Sequence, residues 1–284
     1  MAAVKANPQA AAVVRDTITL RRIETLEELQ GCSVIQDLVW GPGFPDRVPA
    51  SLLRVAQYVG GITAGAFDSD GTMLGFVCGF TGPRGGRLAH WSHMLAVLPE
   101  FRDRGLGTKL KLFQREIARE KGAERMLWTF DPLVARNAHL NLNHLGARID
   151  EYVPDMYGDG AGSPLHAGIG TDRFVVRWEL TREPGTSDIT APRGWRDGGS
   201  SLPMLSPDAG GDGATPPPPA GAPAIRIEVP ADLYQLMADA PEHALRWREY
   251  TRTALLSYLG RGYQVHSFHR DPVSGRAWYV LAAA

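Results

Sequence analysis

Arg102-Asp103-Arg104-Gly105-Leu106-Gly107-Thr108 sets two arginines and two glycines just ahead of a helical repeat, Leu106, Leu110, Phe113 and Ile117, which runs to Gly122. Upstream lies an apolar run, His90 to Val97, closed by Pro99, within a strand that reads from Leu88 to Val97. A turn of this kind joins a strand to a helix N-terminus, where free backbone N–H groups and the positive end of the helix dipole face an anion. Gly105 and Gly107 carry no Cβ, so a phosphate can approach the backbone closely. Two familiar glycine motifs do not fit. The P-loop requires Gly-Lys-Ser/Thr where Gly107 is followed by Thr108 and Lys109, and the dinucleotide fingerprint requires glycine where Leu110 stands.

The same strand carries His93. Period-two geometry predicts that His93, Leu95 and Val97 share one face. A near-neutral imidazole suits general acid–base work. The competing reading is a core histidine satisfied by a backbone group. His90 is expected further out and solvated, and Glu100 is expected to be a solvated carboxylate.

These residues need a scaffold. The pattern predicts a first strand at 18–20, a helix over 26–39 broken at Trp40-Gly41-Pro42, and a short helix over 52–59 capped by Ser51. Strands at 62–67 and 73–80 flank the hairpin signal Asp70-Gly71. After the key strand and the helix from Leu106 come a buried strand at 126–130 and a helix at 136–145 stopped by Gly146. Strands at 147–152 and 173–180 follow. Residues 181–224 are dense in Gly and Pro, with Pro216-Pro217-Pro218-Pro219 near the end, and read as a disordered linker. Order returns in a β-α-β-β unit at 225–284, which at about sixty residues is small to fold alone and is expected to pack on the first domain or extend its sheet.

The 284 residues, 44 % hydrophobic and 21 % charged, suit a globular chain of one large or two small domains. A net charge of −1 gives no reason to expect a nucleic-acid or membrane surface as the main partner. No run approaches the ~18 apolar residues of a membrane span. The alanine-rich start, residues 1–15, has too weak an apolar patch for a signal peptide and is expected to be a disordered leader. Cys32 and Cys78 lack metal or redox spacing, so buried free thiols and a cytoplasmic setting are expected, with no metal site.

Arg102-x-x-Gly105-x-Gly107, preceded by Leu95-Ala96-Val97-Leu98-Pro99-Glu100-Phe101 and set between strand and helix, resembles the acyl-CoA pyrophosphate site of the GNAT superfamily of N-acetyltransferases. The order β-α-α-β-β-β-α-β-α-β-β over 16–180 is similar to that of the family's α/β fold, a mixed sheet flanked by helices. The layout with the C-terminal unit resembles a group of bacterial GNAT proteins.

The resemblance implies acetyl-CoA as cosubstrate. Leu95, Ala96 and Val97 would bind the pantetheine arm through their backbones, with Arg102, Asp103, Arg104, Gly105, Leu106, Gly107 and Thr108 around the pyrophosphate. Asn137 and Asn141 would be cofactor-side contacts. His93-Met94-Leu95-Ala96-Val97 resembles the matching strand of arylalkylamine N-acetyltransferases, where the histidine serves a proton relay. Attack would be direct, from an amine of a small-molecule acceptor, and some family members pair edge strands into homodimers.

The sequence departs from the family at one point. A helix commonly reading Asn-x-x-Ala-x-x-x-Tyr before Gly here has Leu142 at the Tyr position, and Asn137 stands two residues out of register. Tyr152 and Tyr157 are the looser candidates for the missing acid. The acceptor pocket falls to Trp40, Phe44, Trp91, Trp128, Phe130 and Tyr157, with Asp131 or Asp155 for an ammonium, although each also reads as core or turn. A non-catalytic acyl-CoA sensor is the alternative, and an interaction protein that uses the linker and C-terminal unit is a third reading.

Overall fold

The computed structural model describes residues 18–158, 168–182, 198–208 and 222–283. The expected leader and most of the expected linker lie outside them. The first unit is built from β1 (Thr19–Arg22), α1 (Leu26–Trp40), α2 (Ala50–Tyr58), β2 (Ile62–Phe67), β3 (Met73–Arg84), β4 (Arg87–Val97), α3 (Leu106–Glu120), β5 (Arg125–Phe130), α4 (Ala135–Ala138), β6 (Arg148–Val153) and β7 (Arg173–Glu179). Its strands form one sheet in the order β1-β2-β3-β4-β5-β7-β6. Every neighbouring pair is antiparallel except β4 and β5, which run parallel.

Local chemistry sets the boundaries. A capping box starts α1: the Thr25 hydroxyl accepts from the Glu28 N–H, and the Glu28 carboxylate accepts from the Thr25 N–H. Helix α2 begins at Ala50 with the extended Pro49 as its N-cap and no side-chain cap, so Ser51 lies inside the first turn rather than capping it. Of the helix expected at 136–145, only residues 136–138 are α-helical, as the end of α4. His139–His144 continues as a π-helical turn, a local widening often found at functional sites.

The second unit has its own four-stranded sheet in the order β10-β11-β9-β8, from β8 (Met204–Leu205), β9 (Ala224–Val229), β10 (Tyr263–Arg270) and β11 (Ala277–Ala283). Helices α5 (Leu233–Asp239) and α6 (Pro241–Leu259) precede β10. It therefore packs on the first unit and does not extend its sheet. Strand β8 lies inside the segment expected to be a disordered linker. It pairs in parallel with β9, and the neighbouring Gly198 carbonyl accepts from Trp278 Nε1 at 2.8 Å.

Hydrophobic burial occupies both faces of the first sheet. Ile23, Leu29, Leu53, Phe76 and Met94 form the layer under α1 and α2. On the other face Leu110, Ile117, Met126, Trp128 and Phe174 lie under α3 and continue without a break into Leu255, Tyr258 and Tyr279 of the second unit. Polar links cross the same boundary. Arg248 Nη2 donates to Asp131 Oδ2 at 2.5 Å with both side chains buried, and Tyr279 OH donates to the Pro132 carbonyl at 2.8 Å.

Candidate active site

The central feature is a gap in the sheet. β4 and β5 pair only over Ala89–Trp91 and Arg125–Leu127, and then part. The cause lies on the other edge of β4, where Cys78 pairs with Met94 but Gly79 pairs with Ser92, so that His93 is an extra, bulged residue. Gly79 permits this. A Cβ there would overlap the Trp91 carbonyl oxygen and the His90 ring.

The bulge corrects the expected alternation. Ser92, not His93, shares the α3 face with Leu95 and Val97: its Oγ bonds to Lys111 and Gln114 of α3, and Leu95 lies against Gly107. His93 turns toward the α1–α2 side, edge-on to Phe80 at 5.6 Å between ring centroids.

Two cavities open at the gap. The first, of about 810 Å³, is lined by the expected donor-site residues Leu95, Ala96, Val97, Arg102, Asp103, Gly105, Leu106, Gly107, Thr108 and Asn137. Gly105, at φ +74°, caps α3 in the left-handed region without any side-chain cap, so the first N–H groups of the helix stay open to a ligand. Arg102 also donates from Nε to the Val97 carbonyl at 3.3 Å. Arg104 differs from expectation. It does not line this cavity and lies over the Phe101 ring, 5.7 Å from its centroid. Arg136, Arg173, His139, His144 and, from the second unit, Tyr234 complete the wall. Asn143 Nδ2 bonds His139 Nδ1 at 2.8 Å, so these two share a face of the turn.

The second cavity, of about 550 Å³, is lined by Trp40, Phe44, Asp46, Ser92, His93, Lys111, Trp128, Thr129 and Tyr157, among others. Both cavities are lined by Trp40, Leu95, Thr129, Phe130, Asn137, Leu140 and Arg173, so they meet where β4 leaves β5. Asn141 lines the second cavity and not the first. It is buried, and its Oδ1 accepts from Trp128 Nε1 at 3.1 Å.

Of the expected acceptor aromatics, Trp40, Phe44, Trp128, Phe130 and Tyr157 line this space and Trp91 does not. Asp131 is committed to Arg248, and Asp155 to Arg252 at 2.7 Å. Tyr152 bonds Asp172 away from both cavities. The Tyr157 hydroxyl bonds Thr129 Oγ1 at 2.9 Å, beside the junction.

The electrostatics follow from burial. Desolvation draws His93 below its usual range against the pull of Asp46, which favours the neutral imidazole. His90, expected to be solvated, is fully buried. Gln114 Nε2 donates to its Nε2 at 2.9 Å and its Nδ1 meets Thr81 Oγ1 at 2.9 Å, while burial pushes its pKa down to about 3. Both free thiols are buried, as expected, and burial pushes Cys78 up to about 12 and Cys32 up as well.

Sequence reasoning passed over Lys111. It stands one residue after the apolar Leu110 and looks like an ordinary helix-surface lysine, yet it is only 3 % exposed, and burial pushes its pKa down to about 7. Its closeness to a core position of α3 is the only signal the sequence offers.

Residues 33–142 match the family model described as the acetyltransferase (GNAT) family. That segment is a GNAT-family acetyltransferase domain. The mixed sheet, the uncapped α3 N-terminus and the matched span place the GNAT domain in the first unit.

Solved structures similar to it include the ribosomal-protein-S18-alanine N-acetyltransferase from Escherichia coli, at 15% identity and TM-score 0.46, covering 59% of this chain and 96% of that one. A GNAT-family acetyltransferase from Streptococcus pneumoniae is similar at 18% identity and TM-score 0.45, covering 57% and 99%. Aminoglycoside 6'-acetyltransferase type Ii is similar at 16% identity and TM-score 0.44, covering 58% and 99%. No curated protein matches the chain. Among the described residues no helix is long and apolar enough to cross a membrane, and no group of His, Cys, Asp and Glu could hold a metal ion.

Proposed function

We propose that this GNAT domain transfers an acetyl group from acetyl-CoA to the amine of a small-molecule acceptor by direct attack in a ternary complex. The observation that carries the reading is the meeting of two cavities at Leu95, Thr129, Phe130 and Asn137, where the sheet has parted.

The donor cavity fits acetyl-CoA by its chemistry. The open N–H groups of α3 and the guanidinium of Arg102 suit a pyrophosphate. The unpaired edge of β4 from Met94 to Val97 offers backbone groups to an amide arm. His93 is the general base. Held neutral by desolvation, it takes a proton from the acceptor ammonium, and the freed amine attacks the thioester carbonyl. As the C–S bond breaks, Tyr157, placed by Thr129, gives its proton to the departing sulfur, and the proton lost from the new amide nitrogen restores the phenol. Trp40, Phe44 and Trp128 exclude water from the acceptor side.

The test pairs calorimetry of acetyl-CoA binding with amine-dependent release of CoA thiol. His93→Gln is expected to lower kcat by about 10²–10⁴-fold and leave donor affinity unchanged. The acid limb of the wild-type rate profile, set by a histidine pKa below 6.5, should vanish in the variant. Wild-type protein that binds acetyl-CoA but turns over no amine would favour an acyl-CoA sensor. Wild-type turnover in His93→Gln would remove His93 from the mechanism.

A further inference from the structure

Lys111 is a buried cation in the acceptor cavity without an anion. Its Nζ donates to Ser92 Oγ at 2.7 Å and lies 4.1 Å from the centroid of the Trp128 ring. Among the described residues no carboxylate lies within ion-pairing distance of it. The other cations of the same wall are committed, Arg47 to Asp37 at 3.5 Å and Arg173 to Asp131 at 3.5 Å.

The lysine is also held in place. Ser92 Oγ donates to Gln114 Oε1 at 2.7 Å, and Gln114 Nε2 in turn donates to His90 Nε2. On the other side Trp128 is fixed through Nε1 to Asn141. These supports stand on β4, α3, β5 and the π-helical turn, and the bulge at His93 is what turns Ser92 toward the lysine. A surface lysine would carry its ammonium out to water along its aliphatic stem. Lys111 instead directs it inward, where an unpaired charge is costly and a bound anion would relieve the cost.

We infer that Lys111 is the receptor for a carboxylate on the acyl acceptor, so that the acceptor is an amino-acid-like amine whose ammonium meets His93 and whose carboxylate meets Lys111. This rests on the proposed transfer reaction and adds the acceptor's chemical class. Ser92 is a positioning residue, acting through Lys111. Burial lowers the affinity of Lys111 for its proton, and an incoming carboxylate would restore it, making a desolvated charge-assisted hydrogen bond.

The experiment compares a panel of free amino acids with their amides as acceptors, with acetyl-CoA as donor and CoA thiol release as readout. Wild type is expected to prefer the acids about 10–100-fold in kcat/KM, the range of one buried charge-assisted hydrogen bond. Lys111→Met is expected to bring that ratio to within about threefold, through a higher KM for the acids. Calorimetry of N-acetyl amino acids against N-acetyl amino acid amides on wild type, with CoA bound, gives the same comparison without a variant. Equal use of acids and amides by wild type, or a preference that survives in Lys111→Met, overturns the proposal. A fall in kcat alike for acids and amides would mark the lysine as a proton acceptor and also overturn it. Failure of acetyl-CoA to bind wild type is a failure of the transfer reading. In that case N-acetyl amino acid binding without CoA still decides for or against Lys111.

Discussion

Gly107→Ala separates donor binding from stability, because the structure assigns the two effects opposite signs. Gly107 sits in the first turn of α3, with no positive φ to protect. A methyl group there would meet only Leu95 Cδ2, at 3.7 Å, which is ordinary van der Waals contact. Nothing in the protein need move, and replacing a helical glycine with alanine stabilises by up to about 0.5–1 kcal/mol. For a chain of this size that is a rise in Tm of a few degrees at most. The same methyl would enter the donor cavity, where the α3 N–H groups are open. Losing one charge-assisted backbone contact costs about 1.5–3 kcal/mol, or about 10–100-fold in Kd for acetyl-CoA. Thermal melts with and without acetyl-CoA read both quantities in one experiment: the free variant should melt at or above wild type, and the ligand-induced rise should shrink. A variant that binds acetyl-CoA as tightly as wild type would refute the placement of the pyrophosphate on this turn. A variant that melts well below wild type would refute the packing argument.

Two further predictions concern the frame around the site. Arg248→Met strands Asp131 without its buried partner, and with Arg173 still 3.5 Å away the expected loss is near the lower end of the ~3–5 kcal/mol range, read by urea unfolding; a loss under about 1 kcal/mol would show that the pair is not coupled to folding. His90 is held at about 3 in the folded protein and titrates near 6.5 when unfolded, so its neutral form adds stability that is present above pH 6.5 and is lost as pH falls toward 3. His90→Gln should flatten the wild-type decline, whose slope approaches about 1.4 kcal/mol per pH unit, and equal acid sensitivity in the two would contradict this.

Most of the first unit was legible because its signals are local. The Leu106, Leu110, Phe113, Ile117 repeat gave α3, Asp70-Gly71 gave the β2–β3 hairpin, and the glycine pair gave the open helix start. The errors around β4 share a cause. Strict alternation cannot anticipate the bulge at His93, since a bulge is a relation between two strands and its enabling residue, Gly79, lies on the other one. That single inserted residue moved Ser92 to the α3 face, turned His93 toward the α1–α2 side and left His90 buried on Gln114 rather than solvated. Lys111 was missed for the same reason, because its burial depends on Ser92 and Trp128 arriving from β4 and β5. Residues 198–208 have no apolar periodicity of their own, and β8 exists only because β9 offers it an edge.

The C-terminal unit reaches the larger cavity through Asp131. This residue closes β5, lines the donor cavity and fixes the following turn by accepting from the Leu133 N–H at 2.9 Å. Its other oxygen is held by Arg248 of α6, and Tyr279 of β11 grips the adjacent Pro132 carbonyl. The far wall of the donor cavity is thus anchored by a unit outside the matched family span, which also contributes Tyr234 to the lining. Because the apolar core runs unbroken from Trp128 through Phe174 to Tyr279, loosening the second unit would loosen β5 at the point where it parts from β4. The gap can stay open only if both its walls are rigid. The β4 wall is stiffened by its pairing with β3, and the end of the β5 wall by the C-terminal unit.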